Sequence, residues 1–426
     1  MDTILIIGTG AAGLMAAYEL SGMGYKVVLL EAAGQPGGRI STRQEGGFSV
    51  PVETGAEFVH GALPLTLGLL EEAGIAYRPV EGKMVRLAKG ERVHQDPFSG
   101  DWEELLRQMG ELKEDMSIAA FLDTYFPDER YTQLRRFVQG FAEGYDLVDL
   151  SRASTLALYK EWQEEGEQEF RVEGGYSRLV HHLMDRCLSR GCSIHFHRVV
   201  RSVHWQRGRV ELKCAGGEIF DGHKLIITVS LGVLQQTPDM PSAIAFLPEI
   251  PAYRKAVREM GFGSVIKVLM EFKTAFWESK EEGIGFVVSD EPVPTWWTQY
   301  PSQEHLLTGW VAAGAMRNFQ ALGEEDQRAV CVRSLAALFG VRPEFVREQL
   351  IAYSSHDWGK APFVHGGYSY ETVGSEAARR QMHEPVEDTL YFAGEALYEG
   401  QALATVEAAL VSGKATAEKI IARPRS

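Results

Sequence analysis

The 426-residue chain contains no run of about 18 apolar residues, so no membrane-spanning helix is expected. Residue 1 lies almost on the first apolar run. No signal peptide is therefore expected ahead of it, and a cytoplasmic location is. Cysteine is scarce: only Cys187, Cys192, Cys214 and Cys331 occur, with neither a CxxC pair nor zinc-ligand spacing. They read as reduced structural thiols. Positive charge is also short, with 43 Lys and Arg against 58 Asp and Glu, a net charge of −15 and a pI near 5.4. A polyphosphate would be repelled, so nucleic acid is not an expected partner. Internal repeats, low-complexity tracts and long linkers are absent. The adjacent His181 and His182 point in different directions on a helix and, even with Asp185, fall short of a ligand set. No metal site is expected.

What is present is glycine, 44 residues, above the usual share of ~7%. A hydrophobic fraction of 45% and a charged fraction of 24% are ordinary for a soluble globular protein. The length points to two or three domains. The densest signal is at the start. The apolar run Thr3–Ile7 leads into Gly8-Thr9-Gly10-Ala11-Ala12-Gly13, then a helical stretch to Leu20. A second apolar run, Lys26–Leu30, ends on Glu31. This reads as strand, glycine turn, helix, strand and acid, the dinucleotide-binding unit. Gly8 permits the turn, Gly10 lets a pyrophosphate approach the backbone, and Gly13 lets helix and strand pack closely. Ala12 lies in the same turn. The helix N-terminus offers free N–H groups to phosphates. Glu31 is placed to accept from ribose hydroxyls, near the expected spacing of ~20 residues.

Ala32 through Gly38 then bring in Arg39, a fixed cation that could grip pyrophosphate oxygens in two places. The stretch Val52-Glu53-Thr54-Gly55-Ala56-Glu57-Phe58-Val59-His60-Gly61 sets small residues beside aromatics, as a backbone laid against a flat ligand would. His60 is a candidate for substrate contact. At the other end, the strand Thr389–Phe392 runs into Gly394 and Glu395, and a small-residue helix starts near Thr405 and Val406. Its N-terminal N–H groups and dipole would favour the negative charge of a reduced flavin, worth roughly 0.3–2 kcal/mol. A nicotinamide enzyme needs one such helix; a flavin uses a second at its ring. This favours FAD over NAD.

The glycine turn, the Gly37-Gly38-Arg39 segment and "ETGAEFVHG" resemble the flavin-containing amine oxidase family, which includes monoamine oxidases, polyamine oxidases and lysine-specific histone demethylases. The resemblance spans the chain and is densest at residues 3–61 and 388–420. It implies an α/β fold: a Rossmann-like FAD-binding domain with an inserted α+β substrate domain. It implies FAD contacts at Gly8, Gly10, Ala12, Gly13, Glu31, Ala32, Gly38, Arg39, Gly55, Ala56, Glu57, Phe58, Trp358, Gly394, Glu395, Thr405 and Val406. It implies that the Val200 backbone holds the adenine edge. Lys267, within the apolar run Val265–Val268, matches a family lysine that holds a water at flavin N5, and is the candidate catalytic residue. Tyr368 falls near the cysteine that bonds flavin in monoamine oxidases, so non-covalent FAD is expected, with Tyr368 beside the substrate. The paired cage tyrosines of those enzymes align with Ser369 and Gln401. "GGYSY" looks more like the polyamine oxidase and demethylase branch. Ser230 replaces the proline of a family "PLGVL" turn, which would loosen it.

Between these motifs, residues 62–167 read as a largely helical insertion, with short strands within Val80–Val93. Strands return from Ile194 and close on the buried run Lys224–Val229, and Glu324–Leu338 reads as an amphipathic helix. The expected division is 1–79, 168–250 and 356–426 for the FAD-binding domain, and 80–167 and 251–355 for the substrate domain. The expected function is FAD-dependent amine oxidation. Hydride passes from the amine α-carbon to flavin N5 and O2 reoxidises the flavin to give H2O2, so the partners are a small-molecule amine and O2, with oligomerisation open. Two alternatives stand beside it: a flavin desaturase or protoporphyrinogen-oxidase-like enzyme, and a catalytically silent FAD-binding protein.

Overall fold

The computed structural model describes residues 2–93, 100–163 and 168–423. The parts of the expected domains that fall at residues 1, 94–99, 164–167 and 424–426 lie outside the described residues. A five-stranded parallel sheet forms the centre of the dinucleotide half. Its order is Ser193–His195, Lys26–Leu30, Thr3–Ile7, Lys224–Ile227 and Leu390–Phe392. Thr3–Ile7 and Lys224–Ile227 are nearly continuous apolar runs because helices and loops cover both faces. The sheet thus takes strands from both ends and the middle of the chain. The strands expected after Ile194 are present, and Val200–Gln206, Arg209–Cys214, Ile219–Gly222 and Ala245–Leu247 form a separate four-stranded sheet.

A seven-stranded sheet carries the second half, with Val265–Phe272 between Leu350–Asp357 and Leu306–Ala312. Thr295–Trp297, Ile284–Val288, Lys83–Ala88 and Glu91–Arg92 continue it. The expected insertion folds as helices Gly100–Gly110, Ile118–Tyr125, Thr132–Gly144 and Thr155–Trp162 around a core of Trp102, Leu105, Phe121, Phe126 and Val138. The helix expected from Glu324 spans Glu324–Phe339. Helix Pro251–Glu259 buries Tyr253, Ala256 and Val257 against residues of the parallel sheet, so that core extends past residue 250. Among the described residues no helix is long and apolar enough to cross a membrane.

The first helix, Ala11–Gly22, packs directly on the last, Val406–Ile421. A Cβ on Gly413 would lie 2.2 Å from the Ala12 carbonyl oxygen, and one on Gly13 would lie 2.2 Å from that of Gly8. Neither site can give way, because the opposing atom is backbone. Two glycines therefore set how closely strand, first helix and last helix stack. Ser230, in place of proline, does not loosen its turn. Its Oγ accepts from the Val233 amide at 3.3 Å and donates to the Val364 carbonyl at 2.6 Å.

Gly413→Ala is expected to destabilise the protein by about 1–3 kcal/mol, the usual cost of overpacking. Gly68→Ala, whose Cβ meets nothing within 4 Å, serves as the control. It is expected to be neutral or to stabilise by up to about 1 kcal/mol. Urea unfolding of the two variants measures the difference, and equal midpoints would contradict the packing argument.

Candidate functional site

A cavity of about 3770 Å³ runs between the two halves. A pocket for a drug-sized ligand is usually about 300–1,000 Å³. The cavity therefore has room for an elongated cofactor and a substrate together. All the residues singled out from the sequence line it except Gly13, whose place is the helix–strand contact.

At one end the glycine turn works as its sequence implies. Gly8 has φ +105° and donates its amide to the Leu30 carbonyl at 2.8 Å. Gly10 caps the first helix with no side-chain bond, and a Cβ there would meet nothing nearer than 3.9 Å. The helix N-terminus and Ala12 are thus open to the cavity. Glu31 spends much of its carboxylate on the protein itself. Its Oε2 accepts from the Thr9 amide at 2.9 Å and hydroxyl at 2.8 Å, and Oε1 accepts from the Ala33 amide at 2.8 Å. Ala32, Gly38 and buried Val200 line the cavity near it. Arg39 also lines it, but its Nη1 is engaged by Glu395 at 2.5 Å and by the Gly367 carbonyl at 2.8 Å. Glu395 further accepts from the Ser369 hydroxyl at 2.6 Å. Rather than standing free for phosphate, this nitrogen of Arg39 joins the N-terminal and C-terminal lining segments.

At the C-terminal end, Gly394 donates its amide to Ser412 Oγ at 3.0 Å. Thr405 caps the last helix by accepting from the Ala408 amide at 3.2 Å, and Val406 opens that helix on the cavity. The Glu407 carboxylate turns away and accepts from the Leu65 and Thr66 amides at 3.0 and 2.7 Å, capping helix Pro64–Glu72. Trp358 packs on Gly55, where a Cβ would come within 3.1 Å of its ring, and donates to the Thr54 carbonyl at 2.9 Å.

Lys267 sits mid-strand with every residue of Val265–Phe272 buried, and it is 1% exposed. A lysine so placed needs a counter-charge. The sequence reading took Glu57 as a backbone contact for the cofactor; its side chain is the partner. Lys267 Nζ lies 2.7 Å from Glu57 Oε2 and donates to the Gly55 carbonyl at 3.0 Å. Glu57 Oε1 accepts from Arg171 Nε at 3.1 Å, Trp297 Nε1 at 3.0 Å and Gln299 Nε2 at 3.3 Å. Burial works to raise the Glu57 pKa, but Lys267 and Arg171 overcome it and hold the carboxyl at about 2. Glu53 lies close enough to feel both Lys267 and Glu57. Burial pushes it up to about 7 against the pull of the Tyr176 amide and Lys267. Glu57 therefore adds stability that is lost only as pH falls from 4.5 toward 2. Glu53 does the opposite and costs stability as pH rises from 4.5 to about 7.

Aromatic rings line the cavity next to this cluster. The Phe58 and Trp297 centroids are 5.7 Å apart, Trp297 and Trp310 5.9 Å, and Trp310 and Tyr368 6.4 Å in a stacked pair. The Tyr368 hydroxyl donates to the Tyr145 carbonyl. His60 lies at the exposed edge, its Nδ1 2.7 Å from Glu169 Oε1. Sequence reasoning put Trp296, Trp297 and Trp310 in a strand-rich segment roofing the flavin without naming Trp297 or Trp310 as site residues, and it missed Arg171 and Gln299. One signal was available: in a strand, Trp296 and Trp297 face opposite ways. Trp296 is fully buried and bonds the Val293 carbonyl, while Trp297 turns to Glu57. The four site partners come from three separate strands and the residues that follow one of them, and no local pattern joins them.

Glu57→Gln leaves Lys267 and Arg171 buried without a carboxylate, and is expected to cost about 3–5 kcal/mol. Lys267→Met leaves Glu57 paired with Arg171 and is expected to cost less. Chemical denaturation ranks the two, and a larger loss in Lys267→Met would show that Glu57 is not the shared anion.

The sequence profile described as flavin containing amine oxidoreductase matches residues 11–421. Lysine-specific histone demethylase 1 homolog 2 of Oryza sativa subsp. japonica is 28% identical over 98% of this chain and 57% of its own length. The chain thus spans a little over half of that relative. Polyamine oxidase 3 of the same organism is 29% identical over 97% of this chain and 88% of its own length. Among solved structures, putrescine oxidase bound to putrescine superposes with a TM-score of 0.82 at 21% identity, covering 99% of both chains. Cyclohexylamine oxidase from Brevibacterium oxydans IH-35A gives 0.81 at 19% identity, covering 98% of both. The fold is that of these oxidases, and with its profile match running almost end to end the chain belongs to the flavin-containing amine oxidoreductase family.

Proposed function

We propose that this chain is an FAD-dependent amine oxidase acting on CH–NH2 or CH–NH groups. The observation that carries the reading is that the N-termini of the first and last helices open on one cavity that also reaches Lys267. The residues present fit FAD. The open face of Gly10 and the first helix would hold the pyrophosphate, Glu31 the adenosine ribose and Val200 the adenine edge. Gly55, Ala56 and Trp358 would lie along the ring, with Thr405 and Val406 at its pyrimidine end. All four cysteines are described and buried, and none lines the cavity, which supports non-covalent FAD. The same unbridged thiols support a reducing, cytoplasmic setting. When bound, FAD supplies the two-electron acceptor for the C–H bond beside an amine nitrogen and is reoxidised by O2, which leaves as hydrogen peroxide.

The chain's own residues prepare that transfer. An ammonium has three donors, and Lys267 spends one on Glu57 and one on the Gly55 carbonyl. One N–H remains to hold a water in the cavity. Lys267 is ion-paired with Glu57 at 2.7 Å, and a protonated amine beside its ammonium would meet a like charge. The substrate therefore reacts as the neutral amine, whose lone pair is free to assist C–H cleavage. Phe58, Trp297, Trp310 and Tyr368 give an aliphatic substrate an apolar wall and exclude water from the amine carbon. The amine leaves as an imine, which water hydrolyses. The polyamine oxidase, putrescine oxidase and cyclohexylamine oxidase among the similar proteins are each named for an amine.

Anaerobic addition of an amine to the FAD-loaded protein is expected to bleach the flavin band, whereas a polyene or a porphyrinogen leaves it intact. Lys267→Met is expected to retain FAD and to slow reoxidation by O2 by about 10-fold or more. Stopped-flow absorbance measures both. Bleaching by the polyene or porphyrinogen alone would replace this reading with a C–C or ring C–H oxidase. Bleaching by no compound would leave a silent FAD-binding protein.

A further inference from the structure

Two of the four cysteines meet at the end of one helix. Helix Ser177–Ser189 is capped by Arg190, and Gly191 follows in the left-handed region at φ +82°. The Gly191 amide donates to the Leu188 carbonyl at 3.0 Å, and the Cys192 amide donates to the Cys187 carbonyl at 3.1 Å. This nested pair of bonds is the Schellman end of a helix. It sets the residue three before the cap against the residue two after it, a contact that is usually between apolar side chains. Here the contact falls on Cys187 and Cys192, whose side chains hydrogen-bond each other.

The surroundings make the two sulfurs unequal. Cys187 is fully buried against the first helix, its Sγ 3.6 Å from the Leu14 carbonyl oxygen. Cys192 keeps 6% exposure between exposed Gly191 and Ser193. The hydrogen bond with Cys187 holds the Cys192 thiol below the usual range against the opposing effect of burial, and Ser21 and Arg190 assist. The same bond, and then burial, push Cys187 up. Cys192 is thus the nucleophile of the pair and Cys187 the thiol that stands behind it. Burial pushes Cys214 and Cys331 up instead.

We propose that Cys187 and Cys192 are an oxidation site that closes to a disulfide when hydrogen peroxide reaches it, and that the peroxide released by the enzyme's own turnover suffices. The source of the peroxide rests on the amine oxidase reading; the pair itself does not. The Cys192 thiolate attacks one peroxide oxygen and the O–O bond breaks. The departing hydroxide takes up the proton that Cys192 had released, and the sulfur becomes a sulfenic acid. The Cys187 sulfur then attacks that of Cys192, and its proton leaves with the hydroxyl as a second water. Two thiols and one peroxide give one disulfide and two waters. The new bond ties the end of a helix packed on the first helix to strand Ser193–His195, at the edge of the parallel sheet.

Mass spectrometry of the FAD-loaded protein is the test. Reduced protein is treated with hydrogen peroxide, unfolded, alkylated and cut with trypsin, which cleaves between the two sulfurs at Arg190. A disulfide therefore links peptides 187–190 and 191–198, at two hydrogens less than their summed mass, and a reductant parts them. The linked pair is expected to rise from a trace in untreated protein to most of the Cys192 recovered, while Cys214 and Cys331 stay alkylated. In Cys187→Ser, Cys192 is expected to stop at the sulfenic acid and to carry a dimedone adduct. Should that variant fail to fold, Cys192→Ser is expected to leave Cys187 alkylated. Recovery of both wild-type peptides alkylated, or oxidation spread evenly over all four cysteines, overturns the pair. A second arm replaces added peroxide with an amine and air, where the same linked peptides are expected and added catalase abolishes them. If added peroxide links the pair and turnover does not, the self-supplied oxidant is overturned and the site stands. If no amine yields peroxide, the amine oxidase reading falls, and the first arm still decides the pair.

Discussion

The contact on which the rest depends is the crossing of the first helix with the last. The Gly413 backbone sits against the Ala12 carbonyl so closely that a methyl group would overlap it. This brings two helix N-termini from opposite ends of the chain to one cavity. Each contributes partial positive charge and free N–H groups. The parallel sheet fixes the same relation by pairing Thr3–Ile7 with Lys224–Ile227, and that strand with Leu390–Phe392. The Arg39–Glu395 pair then locks the loops that follow the two ends.

Against this frame the second half of the molecule places charge. Lys267 is held by Glu57, and Glu57 is held by Arg171, Trp297 and Gln299, so one carboxylate answers two cations. The cluster keeps a net positive charge while Glu53 is protonated and approaches neutrality when it ionises. It lies beside a wall of aromatic rings, with Lys267 Nζ 5.4 Å from the Trp297 ring. The physical result is a cavity with a fixed cation in its wall and aromatic rings beside it.

The dinucleotide unit and the C-terminal helix were legible in the sequence because each depends on local order, glycines at a turn and a period of apolar residues; Lys267 was marked by resemblance, since its apolar run alone reads as an edge strand with a snorkelling lysine, and it lies instead on a strand paired on both sides. Roles that depend on which strands meet were not legible. Glu57 read as a backbone contact because nothing near it announces a buried lysine more than two hundred positions away. Arg39 read as a phosphate clamp because Glu395 lies at the other end of the chain. Ser230 read as a weak turn because its partner, the Val364 carbonyl, is equally remote. Val200 and Tyr368 were placed by resemblance, and both line the cavity.

A crystal structure of the protein with FAD tests the account most directly. The account places the isoalloxazine ring between Lys267 and the N-terminus of helix Val406–Ile421, with the pyrophosphate at Gly10. A ring bound elsewhere, or a nicotinamide nucleotide filling the cavity, would contradict it.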